Sequence, residues 1–199
     1  MTPRKASDEK AAQIMQAALT VLTRQGYART TIKEVAAEAG VSRGLLHYYF
    51  KSKEEMLFMV VRQSVAASAQ LTEDTFRQSR SIKEIAANIC QAMRLFVNET
   101  PELISILFES WSLARQSQSA RDQLEEVYDL FHQGLGKGLE DVIKRGVLKP
   151  STPVRQMAVL ITAFIDGLSF ELMAVTDLSK DQKFWQASGK ALHAMLKSF

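Results

Sequence analysis

The sequence predicts an all-α protein of about nine helices, and three observations predict it. Proline and glycine, which interrupt helices, number only 4 and 9 in 199 residues, while alanine, leucine, glutamate and glutamine are plentiful. Apolar residues recur at i, i+3 and i+4 rather than alternating. Serine or threonine with glutamate three residues later repeatedly opens these runs, the signature of a capped helix start. Three short helices in residues 1–52 and a larger helical body in 53–199 are the expected domains.

Each element has its own reason. Ser7 can cap the first helix, with Asp8 and Glu9 placed favourably in its first turn. Ile14, Ala18, Val21 and Leu22 form the inner face of that helix, and Gly26 is its stop. Thr31 and Glu34 make a capping box for a second helix, whose inner face is Ile32, Val35, Ala36 and Ala39. The turn Gly40-Val41-Ser42 follows, and Ser42 caps a third helix over 43–49. Ser52 caps the fourth, near 53–79, with Glu55 completing a second box. The fifth is expected near 82–98 with Ile82, Ile85, Ile89, Met93 and Phe96 inward. Pro101 suits the first turn of a sixth, 101–116. The seventh spans about 119–145 and stops near Gly146, the eighth 153–176, and the ninth 181–198. In the ninth, Phe184, Trp185, Ala191, Leu192, Met195 and Leu196 give an amphipathic pattern.

Two short helices around a tight glycine turn match a helix-turn-helix. On a helical wheel of residues 43–50, Leu46, Tyr49 and Phe50 share one side and Arg43, Gly44, His47 and Tyr48 the other, with Leu45 at the border. The displayed set fits duplex DNA. Arg43 has the planar fork that reads guanine, and Leu45 suits a thymine methyl. His47 and Tyr48 can donate to phosphate, and Lys53 adds positive charge. Gly44 lets backbone come close to a phosphate or base edge. Backbone N–H groups opening the second and third helices could also hold phosphate. Charge agrees: residues 1–53 carry nine Lys/Arg against four Asp/Glu, a net +5, while 54–199 carry sixteen against eighteen, a net −2. A basic front end on a slightly acidic body suits a polyanionic partner.

Residues 26–57, GYARTTIKEVAAEAGVSRGLLHYYFKSKEEML, resemble the DNA-binding signature of TetR-family bacterial transcriptional regulators. The matching parts are the Gly-Tyr…Thr-Thr-Ile stretch, then Ala-Gly-Val-Ser-x-Gly-x-Leu, then Tyr-Phe-x-Ser-Lys-Glu. The resemblance implies a homodimer that inserts its third helix into the major groove of a palindromic operator. It acts most often as a repressor, and a small-molecule effector in the C-terminal domain releases the DNA through movement of the fourth helix. Carried over by position, Thr31, Ser42, Arg43, Gly44, Leu45, His47, Tyr48 and Lys53 are the DNA contacts. His47 departs from the tyrosine common in the family. Histidine still donates there, and its charge change near neutral pH would make binding pH-sensitive.

The resemblance also places the last two helices across a two-fold axis as a four-helix bundle, with Leu160, Phe164, Gly167, Leu168, Glu171, Trp185 and Leu192 as the dimer surface. The eighth helix is apolar nearly all round, as a helix with core on one side and a partner on the other must be. Aromatic residues crowd helices five to eight, and Phe96, Phe108, Glu109, Trp111, Tyr128, Phe131 and Phe164 are the candidate effector contacts; for any one ring, ordinary core is the competing role. Gly134, Gly136 and Gly138 in GLGKG permit close packing, a kink or ligand room.

Other classes fit less well. Asp129 and His132 have metal-ligand spacing on a helix, but a di-iron bundle needs two such pairs and two further glutamates. GLGKG is not a phosphate-binding loop, since G-x-x-x-x-G-K-[ST] is missing. Cys90 lies among apolar residues with no basic neighbour to activate it. No catalytic residue, metal or cofactor is therefore expected. A ligand-binding protein without DNA binding is disfavoured by the basic helix pair. The polar start MTPRKASDEK has no apolar core of a signal peptide, and the apolar run 157–165 is too short to span a bilayer. Cys90 is the single cysteine, in keeping with a reducing compartment. A cytoplasmic protein without a membrane partner is the expectation.

Overall fold

The computed structural model describes residues 3–199, with side chains from Glu9 onward apart from Thr176. The described residues contain no strand. The elements are α1 (Pro3–Arg29), α2 (Ile32–Glu38), α3 (Arg43–Tyr49), α4 (Lys53–Gln78), α5 (Ile82–Glu99), α6 (Pro101–Ala114), α7 (Gln118–Lys144), α8 (Val154–Ala174), a 3-10 turn (Thr176–Lys180) and α9 (Gln182–Ser198). The expected all-α class and helix order are therefore present. The cap expected at Ser7 falls among side chains outside the described ones. The 3-10 turn after α8 was not expected, and α8 ends two residues earlier than the sequence suggested.

Two compact units emerge. One comprises the chain up to Ser64 together with Ser105–Val127; the other comprises Val65–Ile104 and Tyr128–Phe199. In the first, Ile14, Ala18, Val21 and Leu22 of α1 are buried as expected, with Val35, Ala36 and Ala39 at α2. Gly26 breaks α1 at φ 76°, a conformation open mainly to glycine. The buried Thr30 hydroxyl donates to the Gly26 carbonyl at 2.8 Å and holds that break. The early part of α4 buries Met56, Leu57, Phe58, Val60 and Val61. Ser52 caps α4 by accepting the Glu55 N–H at 3.0 Å. The expected box is displaced by one residue, because Glu55 accepts from Lys51 N–H rather than from Ser52.

In the second unit, Ile85, Ile89, Met93, Leu135, Leu139, Met157, Ile161, Trp185, Leu192 and Leu196 share one core. Phe96 was expected inward on α5, but it is exposed. At 3.6 residues per turn it falls between Ile85 and Ile89 on the wheel, so its phase is right; near the end of α5, it lies beyond the core that covers those two. Ala191 is likewise exposed on α9. Arg145 ties the end of α7 to the end of α4, donating to the Phe76 and Ser79 carbonyls at 2.7 and 2.9 Å. The Phe76 carbonyl also accepts from Ser79 N–H at 3.2 Å, so Arg145 adds a second donor where α4 ends.

GLGKG resolves into close packing at two of its three glycines. A Cβ at Gly134 would lie 2.6 Å from Ala69 Cβ, and one at Gly138 would lie 2.9 Å from Phe76 Cγ. At Gly136 the nearest such contact is an ordinary 3.7 Å, to Val154.

Cys90 is buried in this core, and burial pushes its thiol up to about 11. Because the unfolded thiol ionises first, its contribution to stability is intact below pH 9 and is lost as pH rises toward 11. We expect Ellman's reagent at pH 8 to label Cys90 far more slowly in the folded protein than in denaturant; equal rates would contradict the burial.

Candidate nucleic-acid interface

Local chemistry sets the helix pair. Thr31 caps α2: its hydroxyl accepts from Glu34 N–H at 3.2 Å and donates to Glu34 Oε2 at 2.7 Å, and the same carboxylate accepts from Thr31 N–H at 2.9 Å. The Thr31 hydroxyl and the Gln25 amide together hold the Glu34 carboxyl below the ordinary carboxylate range. At the other end of α2, Gln13 of α1 donates to the Ala39 carbonyl at 2.9 Å. Gly40 makes the turn at φ 58°, and Ser42 caps α3 by accepting from Leu45 N–H at 3.2 Å.

This frame fixes how α3 is rotated. Leu46 and Phe50 are fully buried and Tyr49 is half-buried, while Arg43, Gly44, Leu45, His47 and Tyr48 are exposed. Tyr48 is 83% exposed, its ring meeting Tyr49 edge-on at 5.5 Å. So large an apolar surface left in water has no reason inside the chain. Gly44 is informative for the same reason: a Cβ there would meet only Ser42 Oγ, at 3.9 Å. Nothing in the fold needs glycine at 44. The side chains of Arg43 and His47 make no hydrogen bond or ion pair among the described residues.

Lys53 differs from the other candidates. Its ammonium donates to the Ala28 carbonyl at 3.0 Å and lies 4.3 Å from the centre of the Tyr27 ring. It therefore braces the end of α1 against the start of α4 as well as supplying charge. Burial, with Glu54 and Glu109 nearby, pushes the Tyr27 hydroxyl above its ordinary value. Sequence reasoning missed Tyr27, Gln13 and Thr30 as supports of this face; each acts through a contact 4 to 26 residues away that spacing alone does not show.

The candidate effector residues are divided between the units. Phe108, Glu109 and Trp111 belong to the first, where the Phe108 and Trp111 rings meet edge-on at 5.6 Å. Phe96, Tyr128, Phe131 and Phe164 belong to the second. There Tyr128 donates to Asp166 Oδ2 at 2.8 Å and meets the His132 ring at 5.9 Å. Burial raises the Asp166 carboxyl, opposed by the Tyr128 bond, and lowers His132. Asp166 was not among the expected site residues. Its signal was a carboxylate in the middle of a largely apolar helix, whose other charged residues are Arg155 and Glu171.

Of the expected dimer surface, Leu160, Gly167 and Glu171 are exposed on α8, while Phe164 and Leu168 pack partly against the unit's own core. Trp185 and Leu192 are core residues, Leu192 fully so. They face inward because the apolar stripe of α9 is used up against α5, its most extensive neighbour. The outward face of α9 is Ala187, Ala191 and Ala194, flanked by Lys183, Lys190 and Lys197. By length and composition α8 would suffice to cross a membrane, yet it carries Asp166 and buries Met157, Ala158, Ile161, Thr162 and Leu172 in the core.

Comparison with known proteins matches the two parts separately. The profile described as "Bacterial regulatory proteins, tetR family" matches residues 14–60. That described as "BetI-type transcriptional repressor, C-terminal" matches residues 83–197. The HTH-type transcriptional regulator TtgR of Pseudomonas putida is 27% identical over 198 residues, covering 94% of this chain and 92% of that protein. Among solved structures, the regulator FadR of Bacillus subtilis in complex with stearoyl-CoA superposes with a TM-score of 0.71 at 20% identity, over 94% of this chain and 98% of that one. A putative regulator of Saccharomonospora viridis in complex with choline gives 0.68 at 19% identity, over 96% of each chain. With a capped helix pair, an outward α3 and both profiles in register, the chain belongs to the TetR family of bacterial transcriptional regulators.

Proposed function

We propose that this DNA-binding regulator is a repressor that acts in the cytoplasm as a homodimer on a palindromic operator and is released by a small-molecule effector. The observation that carries the reading is Gly44, exposed on a helix whose packing gives it no role. Glycine in a helix costs about 0.5–1 kcal/mol relative to alanine. That cost is repaid if a nucleic-acid backbone or base edge comes to that surface. Around it Arg43, Leu45, His47 and Tyr48 present a fork for guanine, an apolar edge and two phosphate donors; Thr31, Ser42 and Lys53 flank them.

The exposed stripe on α8 supports the dimer. Leu160, Ala163, Gly167, Phe170 and Ala174 follow helical spacing, and Gly167 has open space in front of it. Paired with the alanine face of α9, this surface would bury on the order of 1,200–2,000 Å². A two-fold axis would then set two α3 helices about 34–36 Å apart, one turn of DNA. The assignment of 1–52 to DNA and 53–199 to effector and partner follows from the same reading. Structural neighbours in complex with stearoyl-CoA and choline support the binding of a small-molecule effector.

Selection of bound duplexes from a random library tests this. An enriched inverted repeat is expected, and Gly44→Ala should bind it at least about tenfold more weakly while melting no lower than wild type. Enrichment of no sequence, or undiminished binding by Gly44→Ala, would refute the reading.

A further inference from the structure

We propose that Asp166 and Tyr128 form the anchor for an organic cation, so that the effector carries a quaternary or tertiary ammonium group. The inference rests on the effector-binding reading above and names the ligand class. The geometry is specific. Asp166 lies in the middle of α8, and the residues one turn either side of it are Thr162, Ala163, Ser169 and Phe170, none of them basic. Its carboxylate is half-buried, and its partner among the described residues is the Tyr128 hydroxyl, at 2.8 Å on Oδ2. No lysine or arginine pairs with it among the described residues.

A carboxylate withdrawn from water with one neutral donor is an expense that a folded protein seldom keeps without a counter-charge. A structural tie between α7 and α8 needs no such charge, since asparagine at 166 would accept the same bond from Tyr128. The burial that raises this carboxyl is the same desolvation, and an arriving cation would offset it.

The surroundings choose among cations. A metal ion is disfavoured, because no group of three or more His, Cys, Asp or Glu gathers among the described residues. An organic cation fits better: its charge meets the carboxylate and its alkyl shell meets rings. Tyr128 brings its ring to the charge through its hydroxyl, 2.8 Å from Asp166 Oδ2, and His132 packs edge-on against that ring at 5.9 Å. Burial keeps His132 toward its neutral form, so it does not compete as the cation.

The test uses the full-length chain with choline and benzyltrimethylammonium as cations, and 3,3-dimethyl-1-butanol as the uncharged isostere of choline. Calorimetric titration and release of the selected operator are the two readouts. Wild type should bind at least one cation about tenfold or more tightly than the isostere. Asp166→Asn should lose that discrimination while still forming a dimer and binding operator. Tyr128→Phe should weaken the cation less, since the carboxylate remains. If Asp166→Asn fails to fold, Asp166→Glu replaces it, with discrimination expected to fall as the charge moves by one methylene. Wild type that binds operator but shows no preference for the cations overturns this inference and leaves the regulator reading standing. Discrimination that survives Asp166→Asn also overturns it. A change confined to dimer dissociation would assign Asp166 to the subunit interface and overturn it too. Failure to bind any operator would instead remove the reading beneath it.

Discussion

Gly134→Ala should destabilise the protein by about 1–3 kcal/mol, the usual range for forcing an extra methyl into a packed site. The new Cβ would lie 2.6 Å from Ala69 Cβ and 3.2 Å from Ala69 Cα. Neither atom can rotate away, because both are fixed to the backbone of α4. The helices must separate, and the burial of Leu135 and Leu139 beside the contact would suffer. Alanine gains roughly 1 kcal/mol of helix propensity over glycine, so the strain has to exceed that before any loss appears. Gly136→Ala is the control: its Cβ meets Val154 at an ordinary 3.7 Å, so propensity should prevail and the melting temperature should rise. At roughly 2–4 °C per kcal/mol for a chain of this size, opposite shifts of the two variants are measurable by calorimetry. Ala69→Gly should recover part of the Gly134→Ala loss, so that the two changes couple. A neutral or stabilising Gly134→Ala would mean that α4 and α7 do not pack as described.

Arg43→Ala should cost about 1–3 kcal/mol of operator affinity and much less on random DNA, as loss of a base-reading fork requires. Stability should stay within about 0.5 kcal/mol, because the Arg43 side chain is exposed and makes no hydrogen bond or ion pair among the described residues. Lys53→Ala is the contrasting case. A phosphate contact alone would weaken all DNA alike and reduce the salt slope by about one. Lys53 also holds the Ala28 carbonyl and the Tyr27 ring, so its removal should lower the melting temperature as well. Competition binding at several salt concentrations, with melting curves alongside, separates the two. Equal losses on operator and random DNA for Arg43→Ala would remove it from base reading.

Much of the DNA-facing region was legible in the sequence because its determinants are local. The Thr31–Glu34 box, the Gly40 turn and the Ser42 cap each act within a few residues, so they place α2 and α3 whatever surrounds them. The rotation of α3 followed from Leu46, Tyr49 and Phe50 at helical spacing. The larger body was less legible for the opposite reason. Amphipathicity says that α9 has an apolar stripe, not which neighbour covers it, and so Trp185 and Leu192 were expected at a partner surface when α5 already covers them. Phe96 failed similarly: its phase matches Ile85 and Ile89, but the core that covers them does not reach the end of α5.

From the chain alone came the helices, the caps at Thr31, Ser42 and Ser52 and the displayed face of α3, because backbone propensity and capping are set by neighbours in sequence. Three things waited for the tertiary structure: that Gly134 and Gly138 exist for contact with α4, that Lys53 is partly a brace, and that Asp166 meets Tyr128 from 38 residues away. Each is a contact between side chains on different helices. Such contacts depend on how elements pack, and packing is decided by shape and volume across the whole core rather than by any one stretch of chain.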